Sequence, residues 1–193
     1  SQSFRMPQKV HTLSQDIVKR IGLRREKIFH PTEEEGEIGW HYHPDELDLE
    51  RGSWTLMART NSFVNDIAEF LEQEGYFYSR KGHWSVPEKK LEAMSVWKDI
   101  TTGRGTYVGR VKRLYEMVPK MGKGAVVKRG SIKLLDAAAP DELLTHAKLV
   151  KDFGMLSPID TSPLDVIRLS EQEKIYIRSI ERKGESVYEE PRI

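Results

Sequence analysis

Strand-like and helix-like hydrophobic periods alternate through the first hundred residues, and proline or glycine marks most of the helix ends. Residues 2–5, "QSFR", read as short and extended. Pro7 then opens "PQKVHTLSQDIVKRIGL", where Val10, Leu13, Ile17, Val18 and Ile21 fall near helical spacing. "EIGWHYH" alternates as a half-buried strand does, and "SWTLMART" reads as a second strand. The next helix, "NSFVNDIAEFLEQEG", puts Phe63, Ile67, Phe70 and Leu71 on one face, with Asn61 or Ser62 as N-cap and Gly75 as stop. "YFYSRKG" is a third strand and "VPEKKLEAMSVWKDI" a helix opened by Pro87. Strands separated by helices of this length need crossover connections, which predicts an α/β chain with a mainly parallel sheet.

After Ile100 the pattern turns helical. "TYVGRVKRLYEMV", "DELLTHAKLVKDFG" and "SEQEKIYIRSIERKG" are amphipathic, with Asp141 and Ser170 as N-cap candidates. "PKMGKGAVVKRG" is a basic, Gly-rich loop, and "VYEEPRI" reads as a returning strand. The expected division is therefore an α/β part over 1–100, a small, mainly helical part over 101–185, and a strand over 186–193.

Charge is segregated. The net charge is +1, yet residues 101–133 carry nine Lys or Arg against one acid. Such a block suits a polyanionic partner or a solvated face. No apolar run is long enough to cross a membrane, and "SQSFRMPQKV" lacks the apolar core of a secretion signal. The chain has no cysteine, which fits a cytoplasmic setting and removes thiolate chemistry. Ser1 in the first position suggests a piece of a longer protein.

Arg5, at a strand end beside Pro7, sits where a guanidinium and a helix N-terminus can share a phosphate. Arg59, Thr60 and Asn61 occupy the corresponding place after "SWTLM", at the carboxyl rim where open α/β sheets bind ligands. The plainer alternatives are that Asn61 caps the helix and that Arg59 pairs with Asp66 or Glu69. Trp84 could stack on a base or pack in the core, whereas Trp40, Trp54 and Trp97 read as core. His41 and His43 share a strand face without a third ligand at a telling distance, so no metal site is expected. No G-x-x-x-x-G-K-[ST] loop occurs.

In this order, "QSFR", "TLMARTN" and "YFYSRKGHW" resemble the second motor domain of superfamily 1 DNA helicases of the UvrD/Rep type. The resemblance covers about the first hundred residues. It implies a partial RecA-like domain (2A) followed by a short helical insertion (2B) and a strand returning to the sheet. It also implies that Gln2 and Arg5 bind nucleotide, with Arg5 the catalytic residue reaching the γ-phosphate, and that Arg59, Thr60 and Asn61 contact single-stranded DNA. Tyr76, Gly82 and Trp84 are similar to a further block of the family, while Arg80 and Lys81 replace its Gly-Gly pair. By this reading Arg104, Arg110, Lys112, Arg113, Lys123, Lys128 and Arg129 face duplex DNA, together with Lys120 and Lys133 of the same basic block. ATP and Mg would be bound mainly by a first motor domain outside this sequence, so the segment alone would hydrolyse nothing and hold no cofactor. The alternatives are a non-catalytic α/β module that binds nucleic acid or protein, and a relic helicase domain kept as scaffold.

Overall fold

Apolar residues three and four apart give three of the helices a buried stripe, and their terminal residues fix where they start and stop. The computed structural model describes residues 6–23 and 28–193. Contacts divide the chain into two units, Ser1–Leu49 and Glu50–Ile193.

In the first unit, α1 (Gln8–Val18) follows Pro7, as its spacing predicts. A later stretch of the same unit lies along its start: Gln8 N–H donates to the Glu34 carbonyl at 2.9 Å and Lys9 N–H to that of Glu35 at 3.0 Å. The apolar stripe of α1 is not buried, and Ile17 and Ile21 are exposed. "EIGWHYH" forms no strand, and Trp40, read as core, is 81% exposed.

The second unit begins with residues 53–58, which have no regular secondary structure and lead into α2 (Asn61–Glu74). Thr60 is the N-cap, in place of Asn61 or Ser62, and α2 ends at Gly75 in the left-handed conformation. β1 (Ser79–Arg80) and β2 (His83–Trp84) form an antiparallel hairpin. Its two-residue turn needs positive φ at both Lys81 (52°) and Gly82 (79°). Next come α3 (Glu88–Thr101), β3 (Thr106–Tyr107) and α4 (Val108–Met117). After the basic loop lie α5 (Ser131–Leu134), β4 (Leu143–Leu144), α6 (His146–Asp152), α7 (Pro163–Val166) and α8 (Glu171–Arg182). Ser170 caps α8 with a full capping box, its hydroxyl accepting from Glu173 N–H while the Glu173 carboxylate accepts from Ser170 N–H. Asp141 caps nothing: α6 starts later, after Thr145, because Leu143 and Leu144 pair with β3 instead.

α3 and α4 pack along the middle of one core. Trp97 is fully buried there and donates its indole N–H to the Thr161 carbonyl at 2.8 Å, with Ile100, Val111, Leu114 and Tyr115 around it. The sequence-based boundary at Ile100 runs through this core, whereas the contacts separate the chain after Leu49.

The mixture of helices and strands holds, but the parallel sheet does not appear. Among the described residues both ladders are antiparallel and two residues long. The physical reason lies in the partners that the strand-like stretches find. Trp54 N–H donates to the Arg192 carbonyl at 2.9 Å, and Ser79 N–H donates to that of Ile193 at 2.6 Å. Pro191–Ile193 is joined to residue 54 by one backbone bond and to residue 79 by another, which is too little for a ladder.

Candidate nucleic-acid interface

The start of α2 is the best-defined of the expected contact points. The Thr60 side chain accepts from Phe63 N–H at 3.4 Å, so threonine does the capping and leaves the Asn61 amide uncommitted. Arg59 and Asn61 are both exposed. Among the described residues Arg59 makes no ion pair with Asp66, Glu69 or any other acid. A guanidinium, a carboxamide with two N–H donors, and the positive end of a 14-residue helix thus stand together in solvent. That set can bind phosphate oxygens and can hydrogen-bond a base edge.

The basic block divides in two. Arg104 and Arg110 share Asp99 at 3.9 and 3.0 Å, Lys112 pairs with Asp136 at 2.6 Å, and Arg113 pairs with Glu92 at 2.6 Å. These four cations are held by acids of the fold. Lys120, Lys123, Lys128, Arg129 and Lys133 have no ion pair among the described residues.

Trp84 packs against the core and keeps part of its ring exposed. It packs edge-on against Phe77, with ring centroids 5.6 Å apart, and its half-buried ring also lines a groove of about 420 Å³ with Glu92, Arg113 and Tyr188. A second groove of about 530 Å³ is lined by Tyr107, Arg110, Arg113 and Asp136. Arg113 borders both grooves, and each carries an aromatic ring beside a guanidinium. Tyr107 and Tyr188 were missed in the sequence, because neither belongs to a motif or a helical stripe. Their one signal is an aromatic next to a chain reversal.

Gln2 and Arg5, expected at the nucleotide, lie outside the described residues. His41 Nδ1 lies 3.5 Å from the Glu46 carboxylate, and no cluster of three or more metal-ligating side chains occurs among the described residues. No described helix is long and apolar enough to cross a membrane. No protein-family model, curated protein or solved structure matches the chain.

Proposed function

We propose that this chain is part of the second motor domain of an ATP-dependent superfamily 1 DNA helicase and that its described surface contacts DNA. The observation that carries the reading is the uncommitted Asn61 amide beside Arg59, which has no ion pair among the described residues, with the capping duty taken by Thr60. Residues 53–58, 76–80 and 191–193 are then parts of a RecA-like sheet, a reading supported by the hydrogen bonds from Trp54 N–H to Arg192 and from Ser79 N–H to Ile193. Single-stranded DNA crosses the rim at Arg59–Asn61, and Trp84, Tyr107 and Tyr188 offer faces on which bases stack.

ATP and Mg belong to the intact enzyme, held mainly by a first motor domain. Arg5 supplies positive charge to the γ-phosphate as phosphoryl transfer proceeds, and Gln2 lies beside it in the motif.

The test measures fluorescence anisotropy of labelled oligo(dT) with this chain and with its Arg59→Ala/Asn61→Ala variant. The double variant binds at least tenfold more weakly at low salt, and equal binding refutes the contact. In a longer chain containing the Walker motifs, Arg5→Ala lowers ATP turnover by ~10³–10⁵, by analogy with arginine fingers, while DNA binding persists. Unchanged turnover refutes the motor assignment.

A further inference from the structure

We infer that the loop between α4 and α5, with the start of α5, is a separate docking element for the phosphate backbone of a polynucleotide, carried by Lys120, Lys123, Lys128, Arg129 and Lys133. The inference rests on the nucleic-acid reading above and names the cations that give it its salt dependence.

Residues 119–135 hold these five cations and no acid. Elsewhere in the basic block the fold neutralises its cations with Asp99, Asp136 and Glu92. Five neighbouring cations without acids repel one another, a standing cost to the folded state that a polyanion would relieve.

The mounting is rigid where a mere connector could be slack. Val126 and Val127 are buried, and both of their N–H groups donate to the Pro119 carbonyl, at 2.9 and 3.4 Å. Leu156 N–H donates back to the Val126 carbonyl at 2.8 Å, and Lys128 N–H to that of Gly154 at 2.8 Å. Ser131, also buried, donates its hydroxyl to the Lys128 carbonyl at 2.7 Å. The stem is thereby fixed. Two turns project from it, 120–125 bearing Lys120 and Lys123, and 128–130 bearing Lys128 and Arg129, with Lys133 following on α5. A pre-ordered set of cations loses less entropy on binding than a floppy tail does.

The partner is a polynucleotide rather than an anionic bilayer. An interfacial membrane element needs an amphipathic helix with a broad apolar face, and α5 has only four residues. Backbone charges contact phosphates without reading bases, so this element tolerates any sequence.

The experiment titrates the whole chain into labelled oligo(dT) and into a mixed-sequence duplex across a range of salt. It compares wild type with the variant carrying Gln at all five positions. Each phosphate neutralised contributes about 0.7 to a single-strand salt slope and about 0.9 to a duplex slope. The five-fold variant flattens the log–log slope by about 3.5 on single strands or about 4.5 on duplex, and the polymer whose slope flattens identifies the source of the phosphates. A control with Lys151, Arg178 and Arg182 changed to Gln leaves the slope within about one unit. Circular dichroism and thermal melting show all variants folded. If the five-fold variant keeps the wild-type slope while Arg59→Ala/Asn61→Ala weakens binding, the loop assignment falls and the nucleic-acid reading stands. If wild type binds neither polymer at low salt, both fall. Loop-dependent binding to phosphatidylserine vesicles without binding to DNA also overturns the inference.

Discussion

The Trp54 backbone N–H donates to the Arg192 carbonyl at 2.9 Å, tying the start of the larger unit to its end. The Ile193 carbonyl accepts from Ser79 N–H at 2.6 Å. Two distant stretches are thus joined to the same three-residue tail. Without Pro191–Ile193, the Trp54 and Ser79 amides lose their acceptors together. Hydrogen exchange followed by NMR shows both amides accelerating in a chain ending at Glu190, while the α3 and α4 amides stay protected. Continued protection of both would mean that neither bond forms in solution.

Capping and the proposed DNA contact fall on different residues at the start of α2. Thr60→Ala removes the cap and costs about 1 kcal/mol in urea unfolding. Asn61→Ala changes stability by less than about 0.5 kcal/mol, as an exposed substitution should, yet weakens oligo(dT) binding. A stability loss at Asn61 equal to that at Thr60 would reverse the assignment.

Tyr176 ties α8 to the β1–β2 hairpin. Its hydroxyl lies 2.6 Å from the Tyr76 carbonyl and 2.8 Å from Ser85 Oγ. Burial raises the Tyr176 phenol well above its usual range, so it stays protonated as a donor throughout neutral pH. Tyr176→Phe strands the Tyr76 carbonyl and costs about 1–3 kcal/mol, measured by chemical denaturation.

Glu173 gives the fold one acid-sensitive contact. Partial burial pushes its carboxyl upward, but the Lys90 ammonium 2.5 Å away and the Ser170 N–H more than offset this, so the net shift is downward. A carboxylate lowered by folding stabilises the fold above its unfolded pKa, and that stability is lost as pH falls through the folded value. Lys90→Met therefore lowers the melting temperature at pH 7 and narrows its drop between pH 7 and pH 3. A parallel pH profile for wild type and variant would contradict the pairing.

Gly154 sets the stem of the basic loop. Its φ is +69°, and an added Cβ would lie 2.3 Å from Ser131 Oγ. Gly154→Ala costs about 1–3 kcal/mol of backbone strain and clash. Adding Ser131→Ala removes the hydroxyl in the way and recovers part of that loss, which thermal melting of the double variant reads directly. No recovery would place the whole cost in φ.

The helices were legible because their signals are local. Pro7 and Pro87 open helices, Ser170 with Glu173 forms a capping box, and Leu91, Met94, Val111 and Leu114 recur at core spacing. The basic block was equally plain as composition. Its division into paired and unpaired cations was not, since Asp99, Glu92 and Asp136 reach Arg110, Arg113 and Lys112 only through packing.

Strand pairing, helix partners and exposure belong to the tertiary structure. A stretch such as "SWTLMART" encodes an extended backbone, but a strand exists only where another chain segment completes its hydrogen bonds, and residues 53–58 bond to a distant segment, among the described residues, only at Arg192. Trp40 and Trp97 look alike in the sequence, yet one stands in solvent and the other is buried beneath Thr161. The sequence determined which residues could be helical, apolar or charged. Packing decided which of them met a partner, because burial and pairing are properties of two surfaces and a local pattern describes only one.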